Sequence, residues 1–442
     1  MTNYLFLRAN RNKRLFIDIA EELNKLGHRS YIMKFELGDL LFKSKGVKTI
    51  FAPFNVNNRE YPITDEALLG MQIYNVTYSE SILKKKVSTK ELSIYKRYMY
   101  FIDRYIDQNK IDAICLFNGY HWIDQISRYL AEKKGVKVVY FEEGLFRPYT
   151  ITCDPKGINA TSSVSKDPNL YDAINIDKER LKKFLYKPED PIFLNNKKES
   201  LFKVGTVKTL SMFGSFVRLH PKYFLHITLW QGIKYFLFKI LYSRRKNDSI
   251  VLPEEYVFVP FQVSRDTQIF YNSPRIKKME EFLDFVYKAV RRFNKENDRK
   301  LKVVVKEHPE DMSRNNYKDL KDKYKNIQEV IFVGKYDVKK LIKSSLVVIT
   351  INSTVGIEAL ARNKKVITLG ESLYNIEGIV YRCSNPTRLH EVLKVGLSNP
   401  LNYERIQKFI YYLRFHYQVE GMLNVPNQKT GKNIAKRICE LY

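Results

Sequence analysis

Apolar and polar positions follow two rhythms along this chain, and the switches between them mark its elements. Short apolar runs at Tyr4–Leu7, Arg29–Phe35, Val47–Phe51, Ile111–Phe117 and Val136–Phe141 read as strands. Between them, apolar residues recur at three- and four-residue spacing over Arg14–Leu26, Leu92–Gln108 and His121–Lys134, which predicts helices with one buried face. This β-α-β succession predicts a parallel sheet covered by helices on both faces. A second series starts near Tyr256, with strands at Tyr256–Pro260, Lys302–Val305, Val330–Val333, Leu346–Ile351 and Lys365–Leu369. Helices fit between these at Arg275–Asn294, Val338–Ser344 and Val355–Arg362, and a last one at Asn402–Phe415 is expected to pack back on the first unit. A chain of 442 residues exceeds one ordinary core and predicts two domains. A single larger doubly wound domain is the alternative.

The stretch joining the two series has another character. From Lys203 to Lys246 there are six lysines, three arginines and no acidic residue. Within it, Tyr223–Tyr242 is rich in Phe, Leu and Ile but interrupted by Lys234 and Lys239, which argues against a membrane span. Two readings fit: an interfacial helix facing anionic lipid, or a buried junction helix whose lysines snorkel. The expected division is 1–175, an N-terminal acceptor and catalytic domain; 176–250, the basic helical region; 251–398, a nucleotide-sugar domain; and 399–442, C-terminal helices.

Charge widens the choice of partner. The formal net charge is +28, which calls for an anionic partner or surface. Zinc-finger spacing, an RNP-like aromatic strand and a helix-turn-helix pattern are all missing from the sequence, so charge alone supports nucleic acid weakly. Cys115, Cys153, Cys383 and Cys439 are scattered without CxxC or His-paired spacing, as ordinary cytosolic thiols would be, and suggest no metal site. The apolar run at the N-terminus is too short, and its charges too early, for a signal peptide.

Candidate chemistry concentrates at strand ends. Phe141–Ser162, FEEGLFRPYTITCDPKGINATS, gathers Glu142, Glu143, Arg147, Asp154, Gly157 and Asn159 in one loop-like segment after the strand Val136–Phe141. Carboxylates and glycines at the carboxyl end of a strand suit a ligand site in an open α/β sheet; a solvated acidic turn would explain Glu142 and Glu143 alone. After Lys302–Val305 comes Lys306-Glu307-His308-Pro309-Glu310, where His308 is placed to hold a phosphate oxygen or protonate a leaving group. Thr350–Leu360 is a buried strand turning into a helix, with Ser353 or Thr354 as N-cap, a phosphate-binding helix start, and Glu358 one turn in. An ordinary N-cap is the plainer reading. There is neither a Walker lysine nor GxGxxG. Val259–Gln268 adds a strand running into polar side chains.

In this order, EEG-x-x-RP with D-x-x-G-x-N, PFQVSRDTQI, KEHPED and TINSTVGIEAL resemble the capsule polysaccharide biosynthesis family, the KpsS/LipB-like β-Kdo transferases. The similarity extends to Gly38-Asp39, Phe117-Asn118-Gly119, Leu369-Gly370 and Tyr374, and is loose in the basic stretch and C-terminal tail. The fold implied is α/β and GT-B-like: two Rossmann-like α/β domains facing a cleft, with a basic amphipathic helical insertion. The implied activity is a retaining transfer of β-Kdo from the donor substrate CMP-Kdo to a lyso-phosphatidylglycerol acceptor, without a cofactor or metal. Such an enzyme would be cytoplasmic and peripheral on the inner face of the inner membrane, with partners in capsule synthesis and export and no nucleic acid. Carried residue by residue, Glu143 is the implied nucleophile, although many relatives have Asp there. Glu142 or Asp154 is the reserve acid/base or orienting group, and Arg147 the clamp for the Kdo carboxylate. His308, with Pro309 shaping the turn, contacts the CMP phosphate; Asn352, Ser353 and Thr354 hold it, and Glu358 holds the ribose. Asn159, Gln262, Asp266 and Gln268 complete the donor pocket. One departure is that the loop after the first strand lacks the family's glycines. Its Arg8, Asn10 and Arg11 instead suit the acceptor's phosphoglycerol. A transferase of the same fold using another nucleotide sugar or extending a glycan, and a basic nucleic-acid-binding protein, are the alternatives.

Overall fold

A computed structural model describes residues 1–7, 13–195, 200–221, 229–311, 315, 317–423, 425 and 427–442. The chain divides into two compact units, Met1–Ser163 with Asp177–His226 and Leu413–Tyr442, and Val164–Ile176 with Ile227–Tyr412.

The first unit is built on β1 (Asn3–Phe6), β2 (Arg29–Lys34), β3 (Lys48–Phe51), β4 (Ala113–Phe117), β5 (Lys137–Glu143), β6 (Thr150–Asp154) and the late strand β13 (Val419–Glu420). Their order is β13-β6-β5-β4-β1-β2-β3. The first five pair in parallel, as βαβ connections require, while β6 and β13 add on antiparallel. The sheet holds because its strands and the Lys13–Lys25 helix bury one apolar set: the Phe16 ring meets Phe6 and Phe141 edge-on at 5.3 and 5.4 Å, among Val139, Ile151 and Cys153. The C-terminal Gln428–Leu441 helix packs on Lys13–Lys25.

Here the structure corrects the sequence reading. Phe141–Ser162 is not one continuous loop. β5 continues through Glu142 and Glu143, which pair with Thr152 and Ile151 of β6. Residues 144–149 join the two strands, and Gly144 is required at the start of this connection: a Cβ there would stand 2.1 Å from the Thr150 carbonyl oxygen, to which its own N–H donates.

The second unit is a six-stranded, wholly parallel sheet of β7 (Tyr256–Pro260), β8 (Lys302–Lys306), β9 (Val330–Val333), β10 (Val347–Thr350), β11 (Lys365–Thr368) and β12 (Tyr381–Arg382), in the order β12-β11-β10-β7-β8-β9. Its central strands are buried on both faces, which is why they read as continuous Val/Ile/Phe runs rather than alternating ones. The Rossmann-like character expected of both units is present. In each sheet the order reverses at the first strand, with β1 between β4 and β2 and β7 between β10 and β8. Ligands of open α/β sheets bind at such a reversal, outside the carboxyl ends of the strands.

The basic stretch carries helices Leu201–Phe216, in the first unit, and Leu229–Arg244, in the second. Residues 223–228 of the expected Tyr223–Tyr242 helix lie outside the described residues. Among the described residues no helix is long and apolar enough to cross a membrane. The Tyr403–Tyr412 helix packs on the Asn169–Asp172 helix within the second unit, so the 399–442 stretch is shared between the units.

Candidate active site

In the first unit, the sequence signal resolves into two separately held carboxylates. Successive strand residues face opposite sides of a sheet, so Glu142 and Glu143 diverge although they are neighbours. Glu142 accepts from Asn118 Nδ2 at 2.5 Å and from the Glu143 N–H at 2.9 Å. Burial pushes its carboxyl above the ordinary range, opposed by those two donors and by Arg147. Asn118 adopts the left-handed region, φ 71°, at the carboxyl end of β4, which turns its side chain toward Glu142. The Asn-Gly pair after an apolar strand was the available signal for this contact. Glu143 is half-exposed and lies 3.4 Å from Nη1 of the exposed Arg147, whose Nε donates to the Gly144 carbonyl. A carboxylate that is accessible and partnered by a guanidinium can meet a ligand.

The raised pKa of Glu142 has a consequence for stability. A carboxyl whose folded pKa lies above the unfolded 4.5 contributes fully below that value, and the contribution is lost as pH rises through the folded pKa. Glu142→Gln should therefore gain thermal stability over the wild type at pH 8 by about 2 °C, and gain less at pH 4. Melting curves at the two pH values check this, and an equal difference at both would refute it.

Asp154 has a different occupation. It is fully buried and accepts from the N–H groups of Lys156, Gly157 and Ser163, from Ser163 Oγ, and from Tyr417 Oη, at 2.7–3.0 Å. Those five donors tie down the segment that follows β6, and within it Asn159 takes the left-handed conformation, φ 52°.

In the second unit, motifs far apart in sequence arrive at one place. Phe261–Gln268, Glu307–Pro309 and Ile351–Thr354 follow β7, β8 and β10, the three strands that meet at the reversal of strand order. Gln262 and Asn352 bracket each other: Gln262 Nε2 donates to Asn352 Oδ1 at 2.8 Å, and the Asn352 N–H donates to Gln262 Oε1 at 3.1 Å. Asn352 Nδ2 reaches the carbonyls of Gln268 and Asn272. Their amides thus shape the floor. Gln268 accepts from Asn272 Nδ2, while its own Nε2 is buried without a hydrogen-bond partner. Asp266 caps the Thr267–Asn272 helix through the Gln268 N–H.

His308 is half-buried, before the exposed Pro309. Its Nδ1 accepts the Glu310 N–H at 3.2 Å, so the neutral ring carries its proton on Nε2. Burial lowers its pKa, against the opposing pull of Glu310, Asp311 and Asp266. At neutral pH His308 is therefore a hydrogen-bond donor rather than a cation. Ser353 Oγ accepts the Val355 N–H at 3.2 Å, and Thr354 stands at the N-cap without a side-chain bond. Glu358 lies in the first turn of that six-residue helix.

Two further side chains support this floor: Tyr374, which the family similarity takes in, and Lys166, which carries no local sequence signal. Tyr374 donates to the Ser353 carbonyl. Lys166 donates to the carbonyls of Ser372 and Leu373 at 2.6 and 2.9 Å, and burial lowers its pKa to about 8. Arg8, Asn10 and Arg11, the expected acceptor contacts, lie outside the described residues. Among the described residues no group of three or more His, Cys, Asp or Glu is gathered to hold a metal ion.

Comparison with known proteins assigns the family. The capsule polysaccharide biosynthesis protein family matches residues 112–394, which take in every motif at the strand ends above. Protein FixF of Sinorhizobium fredii is 31% identical over 74% of this chain, and the match spans 64% of FixF. The capsule polysaccharide export protein KpsS of Escherichia coli is 28% identical over 71% of this chain and 80% of its own. Among solved structures, the β-Kdo 2,7 transferase of Thermosulfurimonas dismutans KpsC aligns over 86% of this chain and 98% of its own, with 15% identity and a TM-score of 0.37. This chain belongs to the capsule polysaccharide biosynthesis protein family.

Proposed function

We propose that the protein is a retaining glycosyltransferase that moves β-Kdo from CMP-Kdo to a lyso-phosphatidylglycerol acceptor, starting the glycolipid anchor of a capsular polysaccharide. The observation that carries this reading is Glu143: an accessible carboxylate at the carboxyl end of a strand, with a guanidinium beside it. Retention is readily explained by two displacements at the anomeric carbon. In the first, Glu143 attacks, a glycosyl ester forms, and CMP departs. In the second, the acceptor hydroxyl oxygen bonds to the same carbon as the C–O bond to Glu143 breaks, and the hydroxyl proton passes to solvent. Arg147 suits a sugar that carries its own carboxylate, because a guanidinium fork matches it with two parallel hydrogen bonds. Glu142 acts as an orienting group, since it holds the Glu143 N–H.

The second unit supplies the nucleotide contacts. His308 donates Nε2–H to the departing phosphate, Ser353 and Thr354 hold it at the helix start, and Gln268 offers a buried donor to the base or ribose. Glu358 takes the ribose diol. A phospholipid acceptor makes the protein peripheral to the membrane face where that lipid is reached, in the company of other capsule synthesis and export proteins.

Incubation with CMP-Kdo and a fluorescent lyso-phosphatidylglycerol is expected to give a product one Kdo heavier, with a β linkage by NMR. Transfer only from another nucleotide sugar, or only onto an existing glycan, would replace donor or acceptor. No transfer, with tight salt-sensitive RNA binding, would overturn the enzyme reading.

A further inference from the structure

We infer that the outward face of the Leu201–Phe216 helix is a docking surface for anionic phospholipid. The inference rests on the preceding reading only for the choice of lipid as a partner. The surface lies one helix earlier than the Tyr223–Tyr242 segment that the sequence suggests.

The orientation of this helix is fixed from its inner side. Val207 and Gly214 are buried against the turn Leu37–Leu41. The approach is so close that a Cβ on Gly38 would stand 2.3 Å from the Val207 carbonyl oxygen, and one on Gly214 2.8 Å from Leu37 Cβ. The helix cannot rotate its opposite face inward without losing this fit. That opposite face carries Phe202, Met212, Phe213 and Phe216, which are 84%, 49%, 56% and 84% exposed. At 100° per residue they fall within one outward sector, together with Gly205, Thr206 and Thr209.

The polar groups of that sector are turned inward. Thr206 and Thr209 donate their hydroxyls to the Phe202 and Gly205 carbonyls of the helix itself, both at 3.0 Å. Exposed phenylalanines at this density mark an interaction site rather than ordinary surface.

Charge selects the occupant. No acidic residue occurs between Glu199 and Asp248. Lys208 is exposed on the same helix, Arg218 is exposed just beyond it, and the Lys203 ammonium sits over the Phe42 ring at 5.0 Å. Aromatics with cations at the rim, and acids absent, are what an interfacial helix needs to enter the headgroup layer of an anionic bilayer. A second copy would bring two such acid-free faces together and meet like-charge repulsion.

The test uses the full chain and vesicles of phosphatidylglycerol with phosphatidylcholine at low salt. The wild type is expected to sediment with them. The triple variant Phe202→Ser, Phe213→Ser, Phe216→Ser should lose at least about tenfold in partitioning while its urea midpoint stays unchanged, because the three side chains are exposed. The triple Phe→Leu variant, which keeps apolar area, should retain most of the binding. Four results overturn the inference: no vesicle binding by the wild type, equal binding to pure phosphatidylcholine, undiminished binding by the Ser triple, or a wild-type dimer or RNA complex that the Ser triple dissolves. Transfer to a short-chain, monomeric lyso-phosphatidylglycerol separates this from the functional reading. Transfer without vesicle binding removes the docking surface alone, and vesicle binding without transfer removes the enzyme reading alone.

Discussion

Glu143→Gln is expected to abolish sugar transfer, by about 10³-fold or more, in a protein that still folds. The amide has the shape of the carboxylate but cannot form the glycosyl ester. Its structural effect should be small, because the only ion pair lost among the described residues is the 3.4 Å contact with Arg147. Both of those side chains reach solvent, and such pairs contribute under about 1 kcal/mol. The measurement is turnover of CMP-Kdo alongside a urea titration of the same preparation. Activity within tenfold of the wild type would take Glu143 out of the nucleophile's role. A collapsed urea midpoint would contradict the half-exposed, lightly held carboxylate described above.

Asp154→Ala should do the reverse, removing stability first and activity only through it. Five donors converge on that buried carboxylate, and the alanine leaves all of them without an acceptor. Removing one side of such a buried network costs about 3–5 kcal/mol. Asn is a poor rescue, since its NH₂ would face donors. Tyr417→Phe removes one donor of the five and should cost about 1 kcal/mol. Urea midpoints for the three variants check the ranking; a loss below about 1 kcal/mol in Asp154→Ala would mean that the segment is held by other contacts.

The contrast between these two acids shows what the sequence can and cannot disclose. A strand such as Tyr256–Pro260 is legible to the residue, because burial on both faces leaves an unbroken apolar run. β6 is not. It reads Thr-Ile-Thr-Cys-Asp, and two of its buried polar members, Thr152 and Asp154, are bonded by Gln418 and Tyr417, which return from 266 and 263 residues downstream. No local pattern contains that information. The same holds at the site. Each polar motif stands out after its apolar strand, so their addresses were readable. The reciprocal bond between Gln262 and Asn352, 90 residues apart, was not, nor was the divergence of Glu142 from Glu143, which follows only once β5 is known to run through them. The outward phenylalanines of Leu201–Phe216 were hidden for another reason: without the turn Leu37–Leu41 packed behind, nothing says which side of that helix is inside.

The late strand β13 sets an order on the birth of this protein. Leu145, at the tip of the hairpin that bears Glu142 and Glu143, donates its N–H to Gln418, and the Tyr149 carbonyl accepts from Gly421. A ribosome must therefore finish the whole of the second unit, through Tyr412, before it emits the residues that close the first. Until then β6 is an open edge, the kind of surface that chaperones guard and that pairs wrongly when crowded. A nascent chain arrested before Leu413 should be cut by protease within Gly144–Ser163, and one released with its full tail should resist. The last strand made is thus the latch on the first domain begun.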